Sequence, residues 1–244
     1  MAKISTIKDI NIKSVDHIYN KFKIFKDDFY GNTSTLFKYK KGTLLKLFDS
    51  PISDYMYETL SFLSTLKTKT TAKITNFFKI DGERYGYIVE ERPGKNLLQL
   101  PANVNVRSFI SSMKPVEKDV KLISSNKIAT DDLKPANMLY DKTTNISSII
   151  DQDCYFEFKD ASKELVTFNN LQILYLAILE SIICPVNGAI DDDLYKSLVE
   201  TILCEFTFDT TIDNYYDYLL NIIEDYYDKE IVTVGDVRKS LRKK

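Results

Sequence analysis

The chemistry-bearing residues of this 244-residue chain concentrate in one stretch, Thr130-Asp-Asp-Leu-Lys-Pro-Ala-Asn-Met-Leu-Tyr140, followed by Ile149-Ile-Asp-Gln-Asp153. Asp132 and Asn137 stand five apart on a polar loop and can face one pocket. Asp151, after the short apolar run Ser148-Ile149-Ile150, can reach the same place. Carboxylate and carboxamide oxygens form an all-oxygen donor set, suited to a Mg²⁺ ion that keeps water and phosphate ligands. Asp132 then remains to accept a hydroxyl proton and aim a nucleophile, and Lys134 can neutralise charge on a transferred phosphate. Phosphoryl transfer is mainly positioning and electrostatic stabilisation, so these are the parts it requires. The bland alternative is a polar turn followed by a hairpin.

Such residues need elements to hold them, and the hydrophobic pattern supplies strands early and helices late. Residues 33–39 and 43–48 are β-prone runs across Lys40-Lys41-Gly42, a hairpin signal. Residues 53–66 carry apolar residues at helical spacing, with Asp54 near the start. Residues 72–79 and 84–90 predict a second strand pair across Asp81-Gly82, and Pro93-Gly94 closes this half. From about 106 the pattern is helical, interrupted by the polar stretch 128–153, with further helices at 166–183, 192–205, 213–227 and 233–242. Strands first and helices afterwards is an α+β signature, with a boundary at 91–97.

Composition bounds the reading from outside. With 44% hydrophobic and 28% charged residues, a chain of this length can bury a core. No run of 18 apolar residues occurs, so no membrane span is expected, and 171–185 reads as a buried helix. The N-terminus lacks the apolar block of a signal peptide. Three cysteines without metal spacing and a single histidine, His17, argue against a Cys/His zinc site and fit a reducing compartment. Cys154 reads as a small buried residue, and the tyrosines of 215–227 as packing and helix surface. Residues 1–46 carry ten lysines against four acids, and 189–230 twelve acids against two lysines. That asymmetry reads as two differently solvated faces, the alternative being a basic front that meets phosphates or an acidic partner, and no aromatic-plus-basic pattern suggests nucleic acid.

The segment Ser124–Asp141, SSNKIATDDLKPANMLYD, resembles the catalytic loop of the protein kinase superfamily, which reads roughly HSxGIxHRDLKPxNILxD. The resemblance implies a two-lobed α+β fold in one domain, a small β-rich N-lobe over 1–92 and a mostly helical C-lobe over 93–244. It implies ATP with Mg²⁺ or Mn²⁺ as cofactors, Asp132 as the catalytic aspartate and Lys134 as the catalytic-loop lysine. Asn137 and Asp151 become metal ligands, Asp151 standing in the variant motif Asp151-Gln152-Asp153. Tyr87–Leu97 resembles a kinase hinge, which makes Val89 the gatekeeper and the backbone of Glu90 and Arg92 the adenine contacts. Lys46 resembles the strand lysine that grips the α and β phosphates, Glu58 its helix partner, and Gly31 the remnant of a glycine-rich loop. Asn170 sits where many kinases place a helix aspartate that braces the catalytic loop, and Val232–Leu241 resembles the final kinase helix. Taken singly, Lys46 is a strand-edge lysine, Gly31 a turn residue and Glu58 a helix surface charge; the Asp132–Asn137 and Asp151 pair is different in kind.

Departures narrow the resemblance. Thr130 replaces a histidine and Asp131 an arginine, no APE-like motif follows, and about eighteen residues separate Asp151 from Asn170. Without the arginine, switching by an activation-loop phosphate is not expected. This economy resembles the compact bacterial effector kinases of the OspG/NleH type, which lack an activation segment. The implied activity is transfer of the ATP γ-phosphate to Ser or Thr of a protein substrate, with an activating host protein as partner. The chain is then expected in the cytoplasm, or delivered into a host cell as a virulence effector. Two alternatives stay open. One is a small-molecule phosphotransferase of the same fold, whose cationic substrate the acidic 189–230 would suit. The other is a pseudokinase that binds nucleotide or a partner without turnover, motivated by the eroded glycine loop and Thr130.

Overall fold

The structure is a computed structural model that describes residues 7–25, 33–183, 196–200, 207 and 209–241. Gly31 and most of the helix expected at 192–205 lie outside the described residues. The chain divides into two units, Met1–Lys67 with Ala72–Arg92, and Thr68–Thr71 with Pro93–Lys244.

The first unit is built on a five-stranded sheet of order β1-β4-β5-β3-β2. Its strands are β1 (Lys8–Asn11), β2 (Ser34–Lys40), β3 (Thr43–Phe48), β4 (Ile74–Ile80) and β5 (Glu83–Glu90). The two hairpins turn where the sequence carries the residues for it: Gly42 at φ +74°, and Asp81-Gly82 at φ +52° and +90°, a pair of left-handed residues that matches strand twist. Helix α1 (Val15–Lys21) starts at Ser14, whose hydroxyl accepts from the His17 N–H, and α2 (Asp54–Thr65) starts at Ser53, which accepts from the Met56 N–H. Ile18, Phe37, Leu45 and Phe78 are fully buried between α1 and the sheet. β1 and α1 are additions that the hydrophobic pattern does not announce. β1 lies parallel on β4, and Asp9 ties it down through Lys79 at 3.0 Å and Arg84 at 3.1 Å. Burial would raise the Asp9 carboxyl, but hydrogen bonds from Lys79 and Arg84 outweigh it and hold the group below the usual range.

The centre of the sheet is where Lys46 is placed, and a glycine makes that possible. Gly86 on β5 faces Leu47 and neighbours the Tyr87–Lys46 pair. A Cβ built on Gly86 would overlap the Lys46 carbonyl oxygen and press on the Phe78 ring, so only glycine lets β5 lie this close to β3.

The second unit is mostly helical: α3 (Val106–Ser124), α4 (Lys163–Ile183), α5 (Ile212–Tyr227) and α6 (Val234–Ser240). α4 is long and apolar enough, by composition, to cross a membrane, but Leu174, Tyr175, Ile178 and Ile182 are buried inside the unit, as in a core helix. Tyr215 and Tyr216 of α5 pack on Tyr175. Buried Arg238 of α6 closes the C-terminal end of α4 by donating to the carbonyls of Ser181 and Ile182, and also to that of Leu100. Thr68–Thr71 belongs to this unit because Asp119 of α3 grips it. That buried carboxylate accepts from the N–H groups of Lys69 and Thr70 and from the Thr70 hydroxyl, at 2.6–3.0 Å. Two small sheets complete the unit. β6 (Lys95–Asn96), β8 (Met138–Asp141) and β9 (Ile146–Ile149) form one, and β7 (Ile128–Ala129) with β10 (Phe156–Glu157) the other.

Candidate functional site

The loop from Thr130 to Asn137 runs from β7 into β8 and is closed by its own backbone. The Leu133 N–H returns to the Thr130 carbonyl at 3.0 Å, and a single 3₁₀ turn over Pro135–Asn137 delivers the chain to β8. The proline is tolerated there because it occupies the first position of the turn, where its missing N–H has no partner to lose. Buried Leu133 anchors the loop, while Asp132 and Lys134 on either side remain reachable.

Asn170, fully buried on α4, braces this loop with three hydrogen bonds. Its Oδ1 accepts from the Thr130 N–H at 2.9 Å, and its Nδ2 donates to the Ile128 carbonyl and the Ser124 hydroxyl, each at 2.8 Å. A backbone donor and a backbone acceptor fix which end of the amide points where.

Asp132 is held from both sides. Asn137 Nδ2 donates to its Oδ2 at 2.7 Å and to its backbone carbonyl at 2.9 Å, while Lys134 Nζ lies 2.6 Å from its Oδ1. The hydrogen bond to Asp132 keeps the Lys134 ammonium above the ordinary lysine range, with smaller help from the charge of Asp151. The β8–β9 hairpin returns the chain so that the Ile150 N–H donates to the Asn137 carbonyl at 3.0 Å, and Asp151 follows directly. The structure therefore brings Asp132, Lys134, Asn137 and Asp151 together within the second unit.

This donor set fits a hard divalent cation. With Nδ2 committed to Asp132, Asn137 keeps Oδ1 as its remaining polar atom, and that oxygen accepts no hydrogen bond among the described residues. Asp151 supplies the carboxylate. Among the described residues no three His, Cys, Asp or Glu side chains converge, so an ion here would complete its shell with phosphate and water, as Mg²⁺ does.

The remaining expected residues lie in the first unit. Lys46 is buried at 7% exposure, with its ammonium 5.4 Å from the Phe48 ring centroid. Val89 pairs with Leu44 and Glu90 with Thr43, at the end of β5. The Glu90 N–H donates to the Lys73 carbonyl at 2.9 Å, and the Arg92 guanidinium meets the Glu90 carboxylate at 3.0 Å. The expected ion pair of Glu58 with Lys46 is absent. Glu58 is exposed on α2 and has no ion-pair partner among the described residues, because α2 turns Thr59, Leu60 and Leu63 inward instead. Glu58→Gln is therefore expected to leave both nucleotide binding and the melting temperature unchanged, within about 0.5 kcal/mol of stability, as a surface substitution should. A calorimetric titration with a shift larger than this would restore the pairing.

Cys154 is a second correction. It is exposed rather than buried, and partial desolvation with the charges of Asp132, Asp151 and Asp153 pushes its thiol up, away from reactivity. Sequence reasoning also passed over Tyr155, which is buried beside these aspartates; its type and position among aromatic neighbours carry no signal of a polar role.

No protein-family model matches the chain, and no curated protein matches it in sequence. Among solved structures the chain is similar to the crystal structure of Rad53 1–466 in complex with AMP-PNP, with a TM-score of 0.54 and 19% sequence identity. The match covers 91% of this chain and 65% of that one, so it spans less than two thirds of the neighbour's length. Likeness at this identity is likeness of fold: the chain has a mixed α+β architecture, one β-rich unit and one helical unit, similar to that of a protein kinase.

Proposed function

We propose that the chain is a minimal protein kinase that transfers the γ-phosphate of ATP to Ser or Thr of a protein substrate. The observation that carries this reading is the amide of Asn137, which holds Asp132 with its nitrogen and keeps its oxygen uncommitted among the described residues, on a loop whose backbone carbonyl accepts from the residue just before Asp151. The fold's likeness to a kinase and the AMP-PNP bound by that neighbour support ATP as donor. In the reaction Asp132 orients the acceptor hydroxyl and takes its proton as the new O–P bond forms and ADP departs. Lys134 stays protonated and offsets charge on the phosphoryl group in transfer. Asn137 and Asp151 would hold Mg²⁺, which neutralises phosphate charge when bound.

Between Asp151 and α4 lie only residues 152–162, which return through β10 to β7 and end at the Ser162 cap of α4. That brevity supports the effector-type reading and a second protein that completes the enzyme; the cytoplasm of the producing or a host cell is proposed as the place where the two meet. The purified chain is expected to transfer phosphate weakly and to do so faster in eukaryotic lysate. The test is transfer of labelled γ-phosphate with Mg²⁺ or Mn²⁺, in buffer and in lysate, for wild type and Asp132→Asn. Label that requires Asp132 supports a kinase; equal labelling by both proteins would refute the assignment.

The absence of a Glu58 ion pair favours a second reading, a nucleotide-binding module without turnover. It predicts no transfer in either medium together with nucleotide-dependent thermal stabilisation.

A further inference from the structure

Asn96, in the two-residue strand β6, is 4% exposed, and both ends of its amide are spent on backbone groups. Its Oδ1 accepts from the Leu98 N–H at 2.9 Å, and its Nδ2 donates to the carbonyl of Ala136. One backbone donor and one backbone acceptor fix which end of the amide points where. Strand register brings the side chain there. Lys95 pairs with Tyr140 and Asn96 with Leu139, so β6 lies along the strand that leaves the Asp132 loop. Gly94, at φ +118°, permits the approach, because a Cβ on it would overlap the backbone of Tyr140 and Asp141.

The carbonyl that Asn96 holds belongs to the peptide group that enters Asn137. The N–H of the same group donates to the Lys134 carbonyl at 2.9 Å. No loop or turn N–H among the described residues donates to the Ala136 carbonyl, and that of Met138 returns to Pro135 instead. A peptide group is planar, so bonds at its N–H and at its C=O together stop it from rotating. The 3₁₀ turn alone holds that plane less firmly, since its own hydrogen bonds have poorer geometry. The Asn137 side chain leaves from the next Cα, and its amide holds Asp132 at 2.7 Å. We infer that Asn96 is a positioning residue for phosphoryl transfer: by clamping the peptide between Ala136 and Asn137 it sets the orientation of Asn137 and, through it, of Asp132. This rests on the reading of Asn137 as a cation ligand.

The two bonds of Asn96 can be separated in the full chain. Asn96→Ser keeps an acceptor for the Leu98 N–H, because Ser and Asn cap about equally well, but its shorter side chain falls short of the Ala136 carbonyl. Asn96→Ala loses both bonds. Each is titrated with Mn²⁺ at saturating AMP-PNP, well below its melting temperature. Mn²⁺ affinity should fall about tenfold in both variants, the lower end of what lost support of a metal ligand costs. A merely structural cap would leave Asn96→Ser at wild-type affinity and lower only the melting temperature of Asn96→Ala, and that result overturns the inference. Should Asn96→Ser be too unstable to titrate, Asn96→Thr caps in the same way, fills more of the space and should show the same loss. If wild type binds no Mn²⁺ with the nucleotide analogue, the cation-site reading falls and takes this inference with it. Binding by wild type that is undiminished in the variants defeats the inference alone.

Discussion

Asp132→Asn is expected to lower phosphoryl transfer by about 10²–10⁴-fold, the worth of the positioned general base proposed for Asp132, and to leave the fold standing. The amide presents an oxygen to Asn137 Nδ2 as the carboxylate does, so the loop's internal bond survives. What is lost is the charge and the site that takes the proton. Lys134 loses its partner but is half exposed and can turn to water, and such exposed pairs contribute only about 0–1 kcal/mol. The melting temperature should therefore move by no more than a few degrees, roughly what 1 kcal/mol produces in a chain of this size. Rate and stability are thus separated in one variant. Transfer that persists in Asp132→Asn at near the wild-type rate would remove Asp132 from the chemistry; transfer that falls in step with unfolding would make its role structural.

Local signals in the sequence read out most of the elements and part of the site. The hairpins at Gly42 and Asp81-Gly82 were legible because a positive φ selects few residue types. The five-residue interval from Asp132 to Asn137 was legible because a proline-started turn folds that interval back on itself, whatever surrounds it. The strand β1 was not. Four residues with two charges, Lys8 and Asp9, give no alternation, and the strand exists because Asp9 meets Lys79 and Arg84 some seventy residues on. Glu58 failed for a related reason. Periodicity fixes that 54–65 is helical, but which residue faces inward depends on packing against β4, including Tyr57 on Phe77. Cys154 was read by the average habit of its residue type, whereas the turn from Asp151 to Tyr155 puts Tyr155 inside and Cys154 outside. Asp119 shows the limit most plainly. A lone aspartate inside a helix reads as surface charge, and only the tertiary fold brings the N–H groups of Lys69 and Thr70 to it.

Asn170→Asp, which would install the residue many kinases carry at this position, is expected to destabilise this chain by about 2–4 kcal/mol at neutral pH. The Thr130 N–H would still find an acceptor. The second carboxylate oxygen, however, would face the Ile128 carbonyl oxygen across the 2.8 Å that the amide nitrogen now bridges as a donor. Ser124 cannot relieve this without giving up its own bond to the Val120 carbonyl, and at 1% exposure the position is closed off from bulk water. The introduced carboxyl could donate to Ile128 only when protonated, so its folded pKa must lie above the unfolded value near 3.9. The sign follows from linkage: the variant is closest to wild type below that unfolded value and loses stability progressively as pH rises through the raised folded pKa. Urea unfolding of both proteins at pH 5 and pH 8 checks this, with the larger deficit expected at pH 8. Because Asn170 holds Thr130, two residues before Asp132, the same variant should also lose transfer activity in proportion to the displaced loop. A deficit that is flat with pH would mean that the Ile128 carbonyl has turned away and that the bracket tolerates either side chain.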